Sequence, residues 1–254
     1  MKELENKIIN FAHEKGKQTI GVLENLLDYM IGYFDPTGTP NKLWRYKEED
    51  NKKFYDMMCS YFQLMQRELQ TKDWFDAWGD LFMSLITKGG NKGQFFTPPS
   101  ICTLMSEITL DEEPQATQKT TFGKRVIVSD CACGSSRNLL AAMAKFEQKG
   151  WKKPYLVAED VDYLCCKMSA VNLAVHGCFG EVVCHDTLAE PDKVRYGYII
   201  NETMYPFPTN IPSIRPCSDS NRFIGTNVWK EREKPTERKE MVFSGGSTTQ
   251  LELF

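Results

Sequence analysis

The chain has 254 residues, 41% of them hydrophobic and 26% charged, enough for one sizeable core and a smaller second unit. A formal charge of -3 excludes a global basic field able to hold nucleic acid unaided, so DNA binding would need a local patch or a helper. The charged start, Met1 to Lys7, does not read as a secretory signal and no apolar run reaches the length of a membrane span, so a cytoplasmic protein is expected. The nine cysteines show no C-x-x-C spacing, and reduced thiols acting as small apolar residues fit them better than zinc or disulfides; no metal is expected.

Residues 1–90 carry helical periodicity and are expected to form a helical N-terminal domain. Leu23, Leu27, Met30, Ile31 and Phe34 make one stripe, and Phe54, Met57, Met58, Tyr61, Phe62, Met65 and Leu69 a second, with a breaker from Asp35 to Pro40 between them. Trp74, Trp78, Leu81, Phe82 and Leu85 form a third that stops at Gly89 and Gly90. At this spacing packed core explains the aromatic residues better than base-stacking platforms do.

A second unit is expected over residues 91–208. It opens with Gly93-Gln-Phe-Phe-Thr-Pro-Pro99, where Thr97 can cap a helix and proline suits its first turn; Ile101, Leu104, Met105 and Ile108 follow at helical spacing. Val126, Ile127 and Val128 read as a parallel strand covered on both faces. The small residues Ala132, Gly134, Ser135 and Ser136 then form a tight loop before a helix, whose free N–H groups and positive dipole end suit a nucleotide-like ligand. A strand from Tyr155 to Ala158 runs into Glu159, Asp160 and Asp162, where a doubly wound sheet places the carboxylate that holds ribose hydroxyls. Helices at 138–149 and 163–176 should each stop at a glycine, Gly150 or Gly177. His176 reads as packing and His185 as a loop hydrogen bond. Further strands are read at 181–184 and 198–200, the last delivering Asn201. Residues 209–254 are expected to be an irregular segment and a flexible tail; four prolines fall in residues 206–220, and only 222–229 and 240–244 have the composition of strands.

Four blocks in one order resemble the N6-adenine DNA methyltransferases that serve as modification subunits of type I restriction-modification systems. These are Gln94-Phe-Phe-Thr-Pro98, Asp130-Cys-Ala-Cys-Gly-Ser-Ser136, Asp160-Val-Asp162 with Asn172-Leu-Ala-Val-His-Gly177, and Asp186-Thr-Leu188. The resemblance covers residues 93–201. It implies an α/β, Rossmann-like S-adenosylmethionine-dependent methyltransferase fold with a truncated sheet, the four strands running in the spatial order third, second, first, fourth. It also implies that Phe95, Phe96, Thr97, Asp130, Ala132, Gly134 and Ser135 surround the methionine part of S-adenosylmethionine. Asp160 would accept from the ribose hydroxyls, Val161 would pack on the adenine, and Asp186 would accept from its amino group.

Departures from the family pattern concentrate on the reacting end. Cys131 and Ser136 replace a proline and a glycine, and Asn201-Glu-Thr-Met204 replaces Asn-Pro-Pro followed by an aromatic residue. The resemblance makes Asn201 the acceptor of the target amine's hydrogens, with Tyr205 or Phe207 as stacking ring and Glu202 as an added acceptor. The function expected is methyl transfer to adenine N6 in DNA. The alternative is a catalytically inactive cofactor-binding relative that acts as a subunit or adaptor. DNA reading could come from a separate specificity subunit. The ending Gln250-Leu251-Glu252-Leu253-Phe254, behind the polar linker 244–249, is similar to peptides that hold the replication sliding clamp, with Gln250 setting register and Leu251, Leu253 and Phe254 filling apolar pockets.

Overall fold

The computed structural model describes residues 1–37, 43, 46–89, 96–116, 118–120, 123–188, 193–202, 211–219 and 222–224. Four helices come first: α1 (Lys2–Glu14), α2 (Thr19–Phe34), α3 (Glu48–Glu68) and α4 (Ala77–Gly89). The three stripes read from the sequence face inward; only Phe62, Leu69 and Trp74 keep partial exposure. Each fully buried Leu or Phe contributes roughly 2 kcal/mol, so these stripes outweigh the modest helix propensity of their aromatic residues. Phe11, Tyr46 and Phe54 meet edge to face or tilted at 5.0–5.9 Å, and Tyr61 stacks on Trp78 at 4.6 Å. The same cluster of buried side chains takes in the helix Tyr163–Val175 of the sheet unit.

α5 (Pro99–Thr109) forms where expected, but two details differ. Its N-cap is Pro98, which has no side-chain acceptor, and Thr97 does not cap it. Its apolar stripe also faces outward: Ile101, Leu104, Met105 and Ile108 are 44–71% exposed. The buried side instead carries Cys102 and Ser106, small residues that let α5 lie close to the helix Arg137–Gln148.

β1 (Gln118–Thr120) and β2 (Gly123–Arg125) pair antiparallel as a separate ribbon. The main sheet follows: β3 (Ile127–Asp130), α6 (Arg137–Gln148), β4 (Tyr155–Asp160), α7 (Tyr163–Val175), β5 (Phe179–Cys184), β6 (Tyr196–Ile200) and β7 (Ile214–Cys217). Both helices stop at the expected glycines. Gly150 has φ +67° and Gly177 φ +64°, and the next residue's N–H closes back on the last turn, Trp151 on Phe146 O at 2.9 Å and Cys178 on Leu173 O at 3.0 Å. α7 lies between the sheet and α2 and covers β4, β5 and β6.

The sheet order is β3-β4-β5-β6-β7, not the expected order with the fourth strand beside the first. β3, β4 and β5 are parallel, but β6 pairs antiparallel with β5, Cys184 opposite Tyr196 and Gly180 opposite Ile200. Only residues 185–195 join β5 to β6. That is shorter than the crossover of about a dozen or more residues that a parallel pair requires, and the chain turns straight back. β3 is therefore an edge strand. Its residues are half-buried, with Ser129 exposed, rather than covered on both faces. β7 was not legible because Pro216 lies in it; as an edge strand it tolerates a missing N–H. Arg222–Ile224, in the first of the two tail stretches with strand composition, are not in a strand.

Candidate functional site

The parallel strands bring their carboxyl ends to one edge, and three expected acids gather there. Asp130 ends β3; its Oδ1 accepts from the Ala132 N–H at 3.1 Å and its Oδ2 from Asn138 Nδ2 at 3.1 Å. Asp160 ends β4; its Oδ2 accepts from the Gly134 N–H at 2.9 Å and its Oδ1 from the Asp162 N–H at 2.9 Å. An ionised carboxylate offers about four lone-pair sites, so both acids retain acceptor capacity for a ligand. Burial raises the Asp160 carboxyl pKa above the ordinary value of 3.8, with the neighbouring N–H groups acting against that shift. Asp162 has a structural role, capping α7 by accepting from Leu164 N at 2.7 Å and Cys165 N at 3.4 Å. Asp186, just beyond β5, accepts from Leu188 N at 3.0 Å in a tight turn, and Thr187 Oγ1 donates to Cys131 O at 3.3 Å.

The loop between β3 and α6 is stitched to the end of β4. Cys133 N donates to Glu159 O at 2.9 Å and Gly134 N reaches Asp160. Below this, Glu159 Oε1 and His185 Nε2 meet at 2.9 Å, both fully buried, and His185 N donates to Asp160 O at 3.1 Å. Gly134 is a required glycine: its φ is +54°, and a Cβ there would lie 2.9 Å from the Phe96 ring. Phe96 thus closes over the loop, and Thr97 O accepts from Arg137 Nη1 at 3.2 Å. Ala132 and Val161 are exposed at this edge, and Tyr163 stacks on Tyr196 at 4.8 Å beside Val161. Phe95 lies outside the described residues.

Ser135 and Ser136 face inward. Ser135 Oγ donates to Asp76 Oδ2 at 2.5 Å and Ser135 O accepts from Asn172 Nδ2 at 2.8 Å. Ser136, in the family's glycine position, has the left-handed φ of +71° that glycine would take freely; its buried hydroxyl bonds the hydroxyl of Ser169. His176 does more than pack: its Nδ1 meets Asn172 O at 2.7 Å and its Nε2 accepts from Phe75 N at 3.3 Å, so the neutral ring ties α7 to the chain before α4. Burial lowers its pKa.

Asn201 does not join this site, which corrects the expected acceptor role. Because β6 runs antiparallel, Asn201 follows Ile200 at the amino end of β5, across the sheet from Asp130 and Asp160. It is fully buried with φ +57°, and its amide is spent on the main chain: Nδ2 donates to Ala174 O at 3.0 Å and Cys178 O at 2.8 Å, while Oδ1 accepts from Ser213 N at 2.9 Å. Glu202 is likewise occupied, pairing with Arg215 and, at 3.5 Å, with Arg222. Tyr205, Phe207 and the tail residues Gln250, Leu251, Leu253 and Phe254 lie outside the described residues.

The structure adds residues that the motifs did not single out. Asp76, immediately before α4, accepts from Gly79 N, Ser135, Arg137 and Asn172. Its position ahead of an apolar stripe was the available signal, since Asp at that place caps helices. Asn138 Oδ1, beside Asp130, is buried without a partner among the described residues. A cavity of 340 Å³ opens behind this assembly between α4, α5 and α6, lined by Trp74, Asp76, Asp80, Thr103 and Lys145 but by none of the acids at the strand ends.

A family model described as N-6 DNA Methylase matches residues 71–243. The chain is similar to a crystal structure titled as that of a putative class I S-adenosylmethionine-dependent methyltransferase from Listeria monocytogenes, with 19% identity and a TM-score of 0.47. The match covers 73% of this chain and 52% of that one, so the chain spans about half the length of that protein. No curated protein matches.

Proposed function

The chain belongs to the N-6 DNA methylase family, and from that premise we propose that it binds S-adenosylmethionine at the carboxyl edge of β3–β5 and serves methyl transfer to adenine N6 in DNA. The observation that carries this reading is the paired arrangement of Asp130 and Asp160, whose carboxylates hold the Gly134 loop between them and keep acceptor capacity. The residues fit the cofactor: Asn138, whose Nδ2 donates to Asp130, keeps its buried Oδ1 without a partner among the described residues, and Ala132 and Val161 stand exposed beside the two acids. When bound, S-adenosylmethionine supplies a sulfonium methyl group. Asp130 holds the ammonium group by a charge-assisted contact, Asp160 accepts from the ribose hydroxyls, Val161 offers an apolar face to the adenine, and Asp186 accepts from its amino group. Ala132 and Ser135 contribute loop backbone, while Phe95, Phe96 and Thr97 close the methionine end.

Base recognition is assigned elsewhere than Asn201, with Tyr205 the proposed stacking ring. The spent amide of Asn201 favours a second reading, a cofactor-binding relative that works as a subunit and leaves the amine acceptor to a partner. Incubation with methyl-labelled S-adenosylmethionine and unmethylated DNA, followed by digestion to nucleosides, separates the two. Label in N6-methyladenine supports the first; cofactor binding without transfer supports the second.

DNA reading is assigned to a specificity subunit, and proximity to DNA to the sliding clamp, held through Gln250, Leu251, Leu253 and Phe254. Removing residues 250–254 should abolish clamp binding and leave cofactor affinity unchanged. No helix among the described residues is long and apolar enough to cross a membrane. No disulfide joins any of the nine cysteines among the described residues.

A further inference from the structure

We propose that Asp76 is a positioning residue for the cofactor loop, acting through Ser135 and Arg137, so that the amino end of α4 is a working part of the cofactor site. The proposal rests on the cofactor reading above. Asp76 is 3% exposed and none of its acceptor capacity is left over. Oδ1 accepts from Gly79 N and Asn172 Nδ2, each at 2.7 Å, and Oδ2 from Ser135 Oγ and Arg137 Nε, each at 2.5 Å. One carboxylate thereby joins α4, the loop, the first turn of α6 and the last turn of α7.

The contacts converge on the residue next to Gly134. Ser135 is held at both ends, its hydroxyl by Asp76 and its carbonyl by the second hydrogen of Asn172 Nδ2. With Ser135 fixed, the Gly134 N–H is aimed at Asp160. Arg137 extends the hold in two directions. Its Nη2 donates to Asp80 Oδ1 at 2.5 Å, and its Nη1 reaches Thr97 O, which brings the Phe96 lid onto the loop. α4 is shaped to admit the anchor: a Cβ on Gly79 would fall 1.9 Å from Asp76 Oδ2 and 2.6 Å from Ser135 Oγ. A buried ion pair is a weak source of net stability, because desolvation offsets its attraction. What the arrangement does supply is orientation, and binding groups must be held to within about 0.5 Å of their productive positions.

The test titrates the full-length chain with S-adenosylmethionine by calorimetry, with a thermal melt of each variant. The set comprises wild type, Ser135→Ala, Asp76→Asn and the double variant. Ser135→Ala removes one hydroxyl donor to the carboxylate, leaves the Asp76–Arg137 ion pair in place and stays folded, so it keeps the test open if Asp76→Asn does not fold. Its dissociation constant should rise about tenfold, and that of Asp76→Asn by more. In the Asp76→Asn background the Ser135 change should add almost nothing, because both act through one contact. Wild-type affinity in folded Ser135→Ala, or full additivity in the double variant, would overturn the proposal. A merely structural Asp76 would lower the melting temperature without moving the dissociation constant of the folded protein. If wild type binds no S-adenosylmethionine, the cofactor reading fails instead. The anchor is then judged by amide exchange at Cys133, Gly134 and Ser136, which must quicken in Ser135→Ala for the proposal to survive.

Discussion

The two edges of the main sheet hold polar residues in opposite states. At the carboxyl edge of β3 and β4, Asp130 and Asp160 each accept two hydrogen bonds and can accept more. At the other edge Asn201 makes three side-chain hydrogen bonds, all to main-chain groups, and is sealed from solvent. The first arrangement leaves lone pairs open to further donors; the second closes a turn. Where a strand end keeps acceptor capacity it can bind, and where a side chain has replaced the missing main-chain partners of a turn it can only stabilise.

Substitutions can break this contrast, and the largest effect falls at the closed edge. Asn201→Ala removes the side-chain bonds to Ala174 O, Cys178 O and Ser213 N, of which Ala174 O keeps the Gly177 N–H at 3.1 Å, and it places a Cβ-bearing residue without local hydrogen bonds at φ +57°. At ~1 kcal/mol for each bond and ~1 kcal/mol for the left-handed backbone, it should destabilise the fold by about 4 kcal/mol, seen as a fall in denaturant midpoint. A variant of unchanged midpoint would return Asn201 to candidacy as a substrate-facing residue.

Gly134→Ala acts at the open edge. The strained φ and the displaced Phe96 ring should weaken S-adenosylmethionine binding at least tenfold, about 1.4 kcal/mol, with a smaller loss of stability. Equal affinity for both forms would mean that this loop does not cradle the ligand.

Acid should act on the same edge. Burial raises the Asp160 pKa above 3.8, so proton uptake sets in at a higher pH than for an exposed aspartate. Hydroxyl donors favour the ionised form, so binding lowers that pKa and releases protons. Affinity should therefore fall as pH drops through the raised pKa, approaching roughly tenfold per pH unit below it, as titrations in buffers of different ionisation enthalpy would show. For folding the sign is reversed. The raised pKa means that ionised Asp160 costs stability above it, and that cost is relieved in acid. Affinity that is flat with pH would remove Asp160 from ligand contact.

The smallest effect belongs to Ser136→Gly. Relief of the φ of +71°, ~1 kcal/mol, offsets the loss of the bond to Ser169, also ~1 kcal/mol. Melting temperatures within a few degrees are expected.

The parts of the molecule set by local rules were legible in the sequence. The stripes of α2, α3 and α4, the glycine stops at Gly150 and Gly177, and acids at the ends of β4 and β5 each follow from a few neighbouring residues. The position of β6 does not. An apolar run ending in asparagine reads the same in either direction, and only the short link from β5 sets its sense. α5 misleads for another reason: its periodicity shows an apolar face, but cannot say that the small residues Cys102 and Ser106 make the contact with α6. Asp76 reads as a helix cap, and its second use as anchor for Ser135, 59 residues away, exists only in three dimensions.

The most direct measurement is a calorimetric titration of S-adenosylmethionine into wild type, Asp160→Ala and Asn201→Ala under conditions where all three are folded. Saturable binding by wild type, reduced about a hundredfold in Asp160→Ala and unchanged in Asn201→Ala, is the result expected if the ligand occupies the open edge. Binding that survives the loss of Asp160, or is lost with Asn201, would contradict it.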